Sequence, residues 1–202
     1  MADELIDIYD SEMNLLGTAM KSQAHDEGLW HKTFHCWIVD GDKVWLQLRG
    51  KGKKLYPGLL DISVAGHLGT GETAKGAGVR EIEEELGLAV CEDDFCKLFT
   101  CRLAEDTADM RIREFCPTYV LKSRWKLSDV IMQPEEVDGI FAAKISEMTE
   151  LFGGDIKDVK IKGFLRGSSR PVERTVAAAD FAPHGENYYL KIFSTLERYT
   201  EK

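Results

Sequence analysis

The hydrophobic residues of this chain fall into short runs with the length and composition of β-strands. Residues 33–40 and 43–49 are two apolar, aromatic and β-branched runs joined through Asp40-Gly41-Asp42, which predicts a hairpin. Strands are also predicted at 4–9, 13–19, 61–65, 96–103, 112–121, 136–143, 158–165 and 171–177. Pro117 lies inside one of these runs and predicts a bulge or an unpaired position there.

Three further segments favour helices: residues 73–86, 145–152 and 186–200. Gly87 follows the first and Gly153-Gly154 closes the second, as is typical of helix ends. Antiparallel hairpins beside helices favour an α/β (α+β) class, with a mixed β-sheet sandwiched between helices.

The chain length of 202 residues and an apolar content of 44% predict one globular domain over residues 1–202. We expect its core at about 30–152, with 153–202 as a hairpin and helix extension packed on that core. The net charge of −9 disfavours non-specific binding to nucleic acid or to an anionic membrane. Such a charge does not exclude a small phosphorylated substrate.

No apolar stretch is long enough to span a membrane, and the acidic start MADELIDIYD does not resemble a signal peptide. Five cysteines are present and none is paired at C-x-x-C spacing. Together these features favour a cytoplasmic protein with reduced thiols.

One segment carries candidate chemistry. Glu81, Glu84 and Glu85 lie at positions i, i+3 and i+4, so a helix places them on one face. Three carboxylates repel each other, and a hard cation such as Mg²⁺, which prefers oxygen ligands, relieves that repulsion. Taken alone, the cluster is also compatible with a solvated acidic helix face.

The stretch GHLGTGETAKGAGVREIEEELGL, residues 66–88, matches the pattern G-x5-E-x7-R-E-U-x-E-E-x-G-U at every specified position. The chain therefore resembles the Nudix hydrolase superfamily. The resemblance implies the Nudix fold, with the box as a loop, a helix and a loop. It also implies Mg²⁺ or Mn²⁺ as cofactor.

The same resemblance assigns roles within the box. Glu81, Glu84 and Glu85 would bind the metal, and the Gly66 carbonyl would be a further ligand. Glu84 would also serve as the base, although many members of the superfamily use a distal Glu. Structural roles in the box fall to Glu72, Arg80 and Gly87.

Outside the box, RGKGKKLYPGLLDISVAGHLGTGE, WHKTFHCW and REFCP resemble the type I isopentenyl diphosphate isomerases and their hydrolase-like relatives. This resemblance places His25, His31 and His67 near or on metal-ligand positions and Glu114 on a catalytic position. Two residues depart from the isomerase pattern: Ala65 replaces the catalytic Cys and Ile112 replaces a metal-binding Glu. Since Ala65 has no ionisable proton, hydrolysis is favoured over isomerisation.

The residues themselves leave several of these roles open. Each His is also compatible with a structural role, and His67 with a contact to metal, substrate or backbone. Glu114 lies mid-strand among apolar residues, where an unpaired carboxylate is costly. It is therefore either a distal catalytic or metal residue, or the ion-pair partner of Arg111 or Arg113.

The loop before the box offers candidate substrate contacts. The isomerase resemblance assigns diphosphate binding to Arg49 and Lys53, while the alternative is an exposed basic loop. Tyr56 and Trp30 are candidates for stacking on a base.

The resulting hypothesis is a metal-dependent hydrolase that cleaves the diphosphate bond of a small organic or nucleoside diphosphate. The alternatives are isopentenyl diphosphate isomerase-like activity and a non-catalytic module that binds a diphosphate ligand. A homodimer is compatible with the family resemblance, and the sequence does not name the substrate.

Overall fold

The computed structural model describes residues 3–107 and 110–200. Eleven strands and four α-helices lie within these ranges. The strands are β1 (Leu5–Tyr9), β2 (Leu15–Met20), β3 (His31–Asp40), β4 (Lys43–Arg49), β5 (Leu60–Asp61), β6 (Val64–His67), β7 (Phe95–Asp106), β8 (Arg111–Lys122), β9 (Val137–Lys144), β10 (Val159–Leu165) and β11 (Val172–Val176). The helices are α1 (Lys21–Glu27), α2 (Ala74–Leu86), α3 (Ile145–Gly153) and α4 (Tyr188–Thr200).

The described strands build a nine-stranded mixed sheet and a separate β1–β2 hairpin. The order in the large sheet is β11-β10-β9-β4-β3-β8-β7, with β5 paired to β4 and β6 paired to β3. Strands β3 and β8 run parallel, and the other paired strands run antiparallel. A mixed sheet with helices confirms the predicted fold class.

Alternate residues of β3 face two different cores. Phe34 and Ile38 belong to a buried cluster that includes Ile82 and Leu86 of α2. Trp37 belongs to the other cluster, which contains buried residues of α3 and α4: Ile145, Met148, Leu151, Tyr188, Tyr189, Ile192, Phe193 and Leu196. The sheet is therefore sandwiched between α2 on one side and α3 with α4 on the other.

Helix α2 begins and ends where the sequence predicts. The Thr73 side chain accepts a hydrogen bond from the Gly76 N–H at 3.0 Å and so caps the first turn. At the other end, Gly87 has φ 66°, in the left-handed region that favours glycine, and its N–H bonds to the Glu83 carbonyl.

Several predicted elements differ in detail from the structure. The 33–49 hairpin keeps only two β3–β4 pairs, Val39 with Val44 and Asp40 with Lys43, because each strand then takes other neighbours. The predicted strand 61–65 is divided between β5 and β6. Helix α1 was not predicted, because its seven residues are too few to display helical periodicity.

Pro117 is unpaired on one side of β8 and paired on the other. The β3–β8 ladder pairs Lys32 with Phe115 and resumes at His35 with Thr118, which matches the predicted unpaired position. On the β7 side, Pro117 pairs with Thr100. All five cysteines are free thiols. No helix in the described residues is both long and apolar enough to cross a membrane.

Candidate active site

The three box glutamates of α2 differ in their exposure. Glu84 is exposed, with 58% of its side chain accessible, whereas Glu81 retains 13%. Glu85 is buried, and its Oε2 accepts a hydrogen bond of 2.9 Å from the Gln47 amide on β4. Glu81 lies directly over Gly66 of β6, where any Cβ would overlap its carboxylate. The glycine of the box therefore makes room for one of the glutamates.

Arg80 joins the box loop to the helix. Its Nη2 donates to the His67 carbonyl and to Glu72 Oε2, each at 3.0 Å, and its Nε donates to Glu72 Oε1 at 3.1 Å. Its Nη1 donates to Glu81 at 2.8 Å and to Glu84 at 3.3 Å. The Arg80 guanidinium thus holds the Glu81 and Glu84 carboxylates and the box loop in a fixed arrangement.

Burial makes ionisation of Glu85 and Glu81 less favourable when no cation is bound. Burial and the neighbouring charge of Glu81 together raise the pKa of Glu85 to about 8, so Glu85 retains a proton at pH 7. Burial likewise raises the pKa of Glu81, although Arg80 opposes this shift. A divalent cation would offset the charge of both carboxylates and displace the Glu85 proton, so the donor set fits an oxygen-preferring metal.

A second group of ligands lies beside the box. His25, His31, His67 and Glu114 each offer an atom, and these atoms lie within 4.8 Å of one another. Glu114 Oε1 is 3.6 Å from His31 Nε2 and 3.8 Å from His67 Nε2, and the Nε2 atoms of His25 and His67 are 3.2 Å apart. The parallel β3–β8 pairing places His31 opposite Glu114. The structure therefore brings together all four residues that the isomerase resemblance selected.

The histidines of this group, called the His–Glu cluster below, are prepared to act as ligands. The Leu29 carbonyl, 2.8 Å from His31 Nδ1, holds the proton on that nitrogen, while His31 Nε2 is buried without a hydrogen-bond partner. Burial lowers the pKa of His25 and of His67, which leaves both rings neutral near pH 7. Neutral imidazoles suit a divalent transition metal, whose binding would replace the hydrogen bond between His25 Nε2 and His67 Nε2.

Glu114 does not have the arginine partner that the sequence left open. Arg113 donates to the Glu105 and Ile112 carbonyls and pairs with Asp106. The contacts of Glu114 in the described residues are instead to histidines and, at 3.8 Å, to Cys116 Sγ. Ile112, which replaces the second metal-binding Glu of the isomerase pattern, is buried in an apolar cluster.

The candidate substrate contacts already have protein partners. Arg49 Nη1 donates to Asp61 at 2.5 Å and its Nε to the Leu55 carbonyl at 3.1 Å. Lys53 pairs with Glu136, and its charge also acts on Glu85. Lys53 therefore lies near the box, whereas Arg49 is largely neutralised by Asp61.

The two aromatic candidates differ in their surroundings. Tyr56 has φ 50° and lines a surface groove together with His184 and Tyr188. Trp30 stacks on Phe115 with ring centroids 4.7 Å apart, and the Arg102 guanidinium lies 4.3 Å over its ring. Much of the Trp30 ring is therefore already in contact with protein.

The sequence interpretation missed several residues of this region. Lys21 begins the unpredicted helix α1, and its charge acts on both Glu81 and His67. Asp61 and His184 are hydrogen-bonded to each other although they lie 123 residues apart. No local pattern marks such a contact, and a buried Asp beside the basic loop was the only available signal.

Comparison with known proteins agrees with the geometry. The NUDIX domain family model matches residues 29–161. An uncharacterized Nudix hydrolase of Clostridium acetobutylicum is 31% identical over 97% of this chain and 98% of its own length. An isopentenyl-diphosphate Delta-isomerase of Leifsonia xyli subsp. xyli is 33% identical over 55% of this chain and 63% of its own.

Among solved structures, DR0079 from Deinococcus radiodurans superposes with a TM-score of 0.57 at 23% identity. The superposition covers 75% of this chain and 90% of that one, and it supports the fold. The family match, the relative aligned over nearly its full length and the complete box together place this chain in the Nudix family of hydrolases acting on acid anhydrides.

Proposed function

We propose that this chain is a metal-dependent hydrolase that cleaves the diphosphate bond of a small organic or nucleoside diphosphate, with Mg²⁺ or Mn²⁺ in the box. The observation that carries the proposal is the arrangement of the three box carboxylates: Arg80 holds Glu81 and Glu84, Gln47 holds Glu85, and Gly66 leaves room for Glu81. Bound divalent metal there would offset the diphosphate charge and promote deprotonation of water.

The residues of the chain have separate roles in this proposal. Glu81, Glu84 and Glu85 would hold the metal, the Gly66 carbonyl would be a further ligand, and Glu72 with Arg80 fixes the geometry. Glu84 accepts the proton of the attacking water, because it is the box carboxylate that solvent reaches most easily. Lys53 approaches the diphosphate from the loop before the box, and Tyr56 contacts the organic part from the groove.

The His–Glu cluster would hold a second divalent cation beside the box. Its support is the chemistry of the donors: three imidazoles and one carboxylate converge, and His31 Nε2 is buried with no other partner. His67 joins the two centres, since its carbonyl accepts from Arg80 while its ring faces Glu114. Glu114 is therefore the alternative residue for proton transfer.

Two alternatives are disfavoured by particular residues. Isomerisation requires a proton donor on the face opposite Glu114, and Ala65 offers none. A module that only binds a diphosphate has no need of a full set of box carboxylates, yet this chain has all of them.

The test is turnover of an organic diphosphate panel with Mg²⁺ or Mn²⁺, with isopentenyl diphosphate included and both cleavage and isomerisation followed. We expect cleavage that requires the metal and falls by about a hundredfold or more in Glu84→Gln. Glu83→Gln on the same helix is the matched control and should retain activity. Isomerisation, or tight binding without cleavage, would contradict the proposal.

A further inference from the structure

A buried carboxylate on β5 links the basic loop to the C-terminal part of the chain. Asp61 has only 2% of its surface exposed, and its Oδ2 accepts from Arg49 Nη1 at 2.5 Å. Its Oδ1 lies 2.5 Å from His184 Nε2. Arg49 and His184 together keep the pKa of Asp61 below its usual range although burial acts in the opposite direction. Asp61 is therefore a carboxylate that accepts the His184 proton.

This contact fixes the orientation of the His184 ring. Because Asp61 accepts the proton on Nε2, the remaining nitrogen, Nδ1, is the atom available to a ligand. In the described residues 3–107 and 110–200, His184 Nδ1 has no hydrogen-bond partner. This atom is not fully buried. His184 lines a groove of about 560 Å³ whose wall also includes Tyr56, Pro183 and Tyr188. That volume is sufficient for the organic part of a small ligand.

The same C-terminal segment reaches the neighbourhood of Glu114. The ring centroids of His184 and His35 are 5.6 Å apart, and His35 Nδ1 is 2.8 Å from the Tyr188 hydroxyl. His35 in turn offers a ligand atom within 4.8 Å of those of Glu114 and Cys116. A continuous row of polar side chains thus joins the His–Glu cluster to the groove.

We propose that residues 181–188 form one wall of the substrate site and that His184, oriented by Asp61, hydrogen-bonds the organic part of the diphosphate through Nδ1. This inference rests on the proposed function. A hydrocarbon group placed against His184 would remove water from Nδ1 without replacing its hydrogen bond, which is unfavourable. Because Nδ1 is then an acceptor, the site selects organic diphosphates that carry a hydroxyl or N–H donor, and it disfavours hydrocarbon chains.

The inference can be tested by binding, independently of turnover. Calorimetric titrations with Ca²⁺ in place of Mg²⁺ would compare two polar probes, ADP and thiamine diphosphate, with isopentenyl diphosphate and inorganic pyrophosphate. The key variant is His184→Gln, because its amide can still reach Asp61 but has no group at the Nδ1 position. Glu186→Gln is the matched control, because Glu186 is exposed and is the one residue of this segment that does not line the groove.

We expect the wild-type protein to bind at least one polar probe more tightly than isopentenyl diphosphate. His184→Gln should weaken the binding of that probe by about tenfold and leave isopentenyl diphosphate and pyrophosphate unchanged. A second measurement uses only wild-type protein: the ¹⁵N resonance of His184 Nδ1 should shift on addition of the polar probe and not of isopentenyl diphosphate.

Equal weakening of all four probes, or no weakening, would overturn the inference. So would failure of the wild-type protein to bind either polar probe, or a preference for isopentenyl diphosphate. Selective binding of a polar probe without Mg²⁺-dependent cleavage would support the role of His184 while contradicting the proposed hydrolase activity. The two proposals therefore fail in distinguishable ways.

Discussion

At the scale of single residues, Gly66 is constrained by the space around it. Its φ is outside the left-handed region, so backbone freedom does not explain the glycine. The constraint is the Glu81 carboxylate, which occupies the position that a Cβ would take. A side chain at this position must therefore displace a proposed metal ligand.

We expect Gly66→Ala to weaken Mg²⁺ binding by about tenfold to a hundredfold, because Glu81 would have to leave its position. Titration of Mg²⁺ followed by calorimetry measures this change. Gly69→Ala is the matched control, since a Cβ there would lie 3.6 Å from Glu72 Oε2, an ordinary contact distance. Equal metal affinity in the two variants would show that Glu81 does not depend on Gly66.

Glu85 links the protonation of the box to stability. Its pKa rises from an ordinary value of 4.5 to about 8 in the folded protein. Between these values the folded state holds a proton that the unfolded state releases, so this group lowers the free energy of unfolding as pH increases. The effect is absent near pH 4.5 and complete above pH 8.

We therefore expect Glu85→Gln to leave the metal-free protein unchanged at about pH 5 and to stabilise it at about pH 8.5, by at most about 5 kcal/mol. With saturating Mg²⁺ the order should reverse, because only the wild type gains a ligand. Urea unfolding with EDTA and with Mg²⁺ measures both effects. A pH-independent difference between the two proteins would contradict the assignment.

At the scale of elements, Arg80 connects α2 to the loop that precedes it. Lysine is a point charge and cannot reproduce the fork that bonds Glu72 and the box glutamates together. We expect Arg80→Lys to weaken Mg²⁺ binding by about tenfold or more. Arg80→Lys combined with Glu72→Gln should cost little more than either change alone, because both remove the same contact.

The matched control for this experiment is Arg124→Lys. Arg124 also pairs with a carboxylate, Asp94, at 3.0 Å, but 56% of its side chain is exposed and it belongs to another loop. The same metal titration is used for all variants. A loss of affinity in the control would indicate a general effect of replacing arginine.

The elements also separate what the sequence could predict from what it could not. The helix of the box was predictable because the i, i+3 and i+4 spacing and the Gly87 stop are local features, and the complete pattern over residues 66–88 identified the box. The opening of the β3–β4 hairpin was not, because it results from pairing with β6, β8 and β9. When several strands could pair with the same strand, the sequence of that strand does not show which of them does so.

At the scale of the whole molecule, the parts of the candidate site come from distant positions of the chain. Parallel pairing of β3 with β8 brings His31 to Glu114, and the family resemblance, rather than any spacing, predicted that meeting. No resemblance pointed to the contact of Asp61 with His184, which forms only when the C-terminal segment folds back over β5. The backbone of this segment also contacts β5: the Ala182 N–H donates to the Leu60 carbonyl at 2.8 Å.

The C-terminal region shares its hydrophobic core with the sheet, although the family match ends at residue 161. Phe193 of α4 is fully buried, and its ring centroid lies 5.3 Å from that of Trp37 on β3. It also packs against Tyr189 and Phe152, so α3, α4 and the sheet meet at this residue. Unfolding of α4 would expose the core that supports β3, which carries His31 and His35.

We expect Phe193→Ala to lower the free energy of unfolding by about 3–5 kcal/mol, because it removes a fully buried aromatic ring from this shared core. Unfolding should remain a single transition, with tryptophan fluorescence and far-ultraviolet circular dichroism changing together in urea. Arg198→Ala, at an exposed position of the same helix, should change stability by no more than about half a kcal/mol. If α4 were an independent appendage, Phe193→Ala would instead produce an early transition that leaves Mg²⁺ binding intact, and the predicted single domain over residues 1–202 would be wrong.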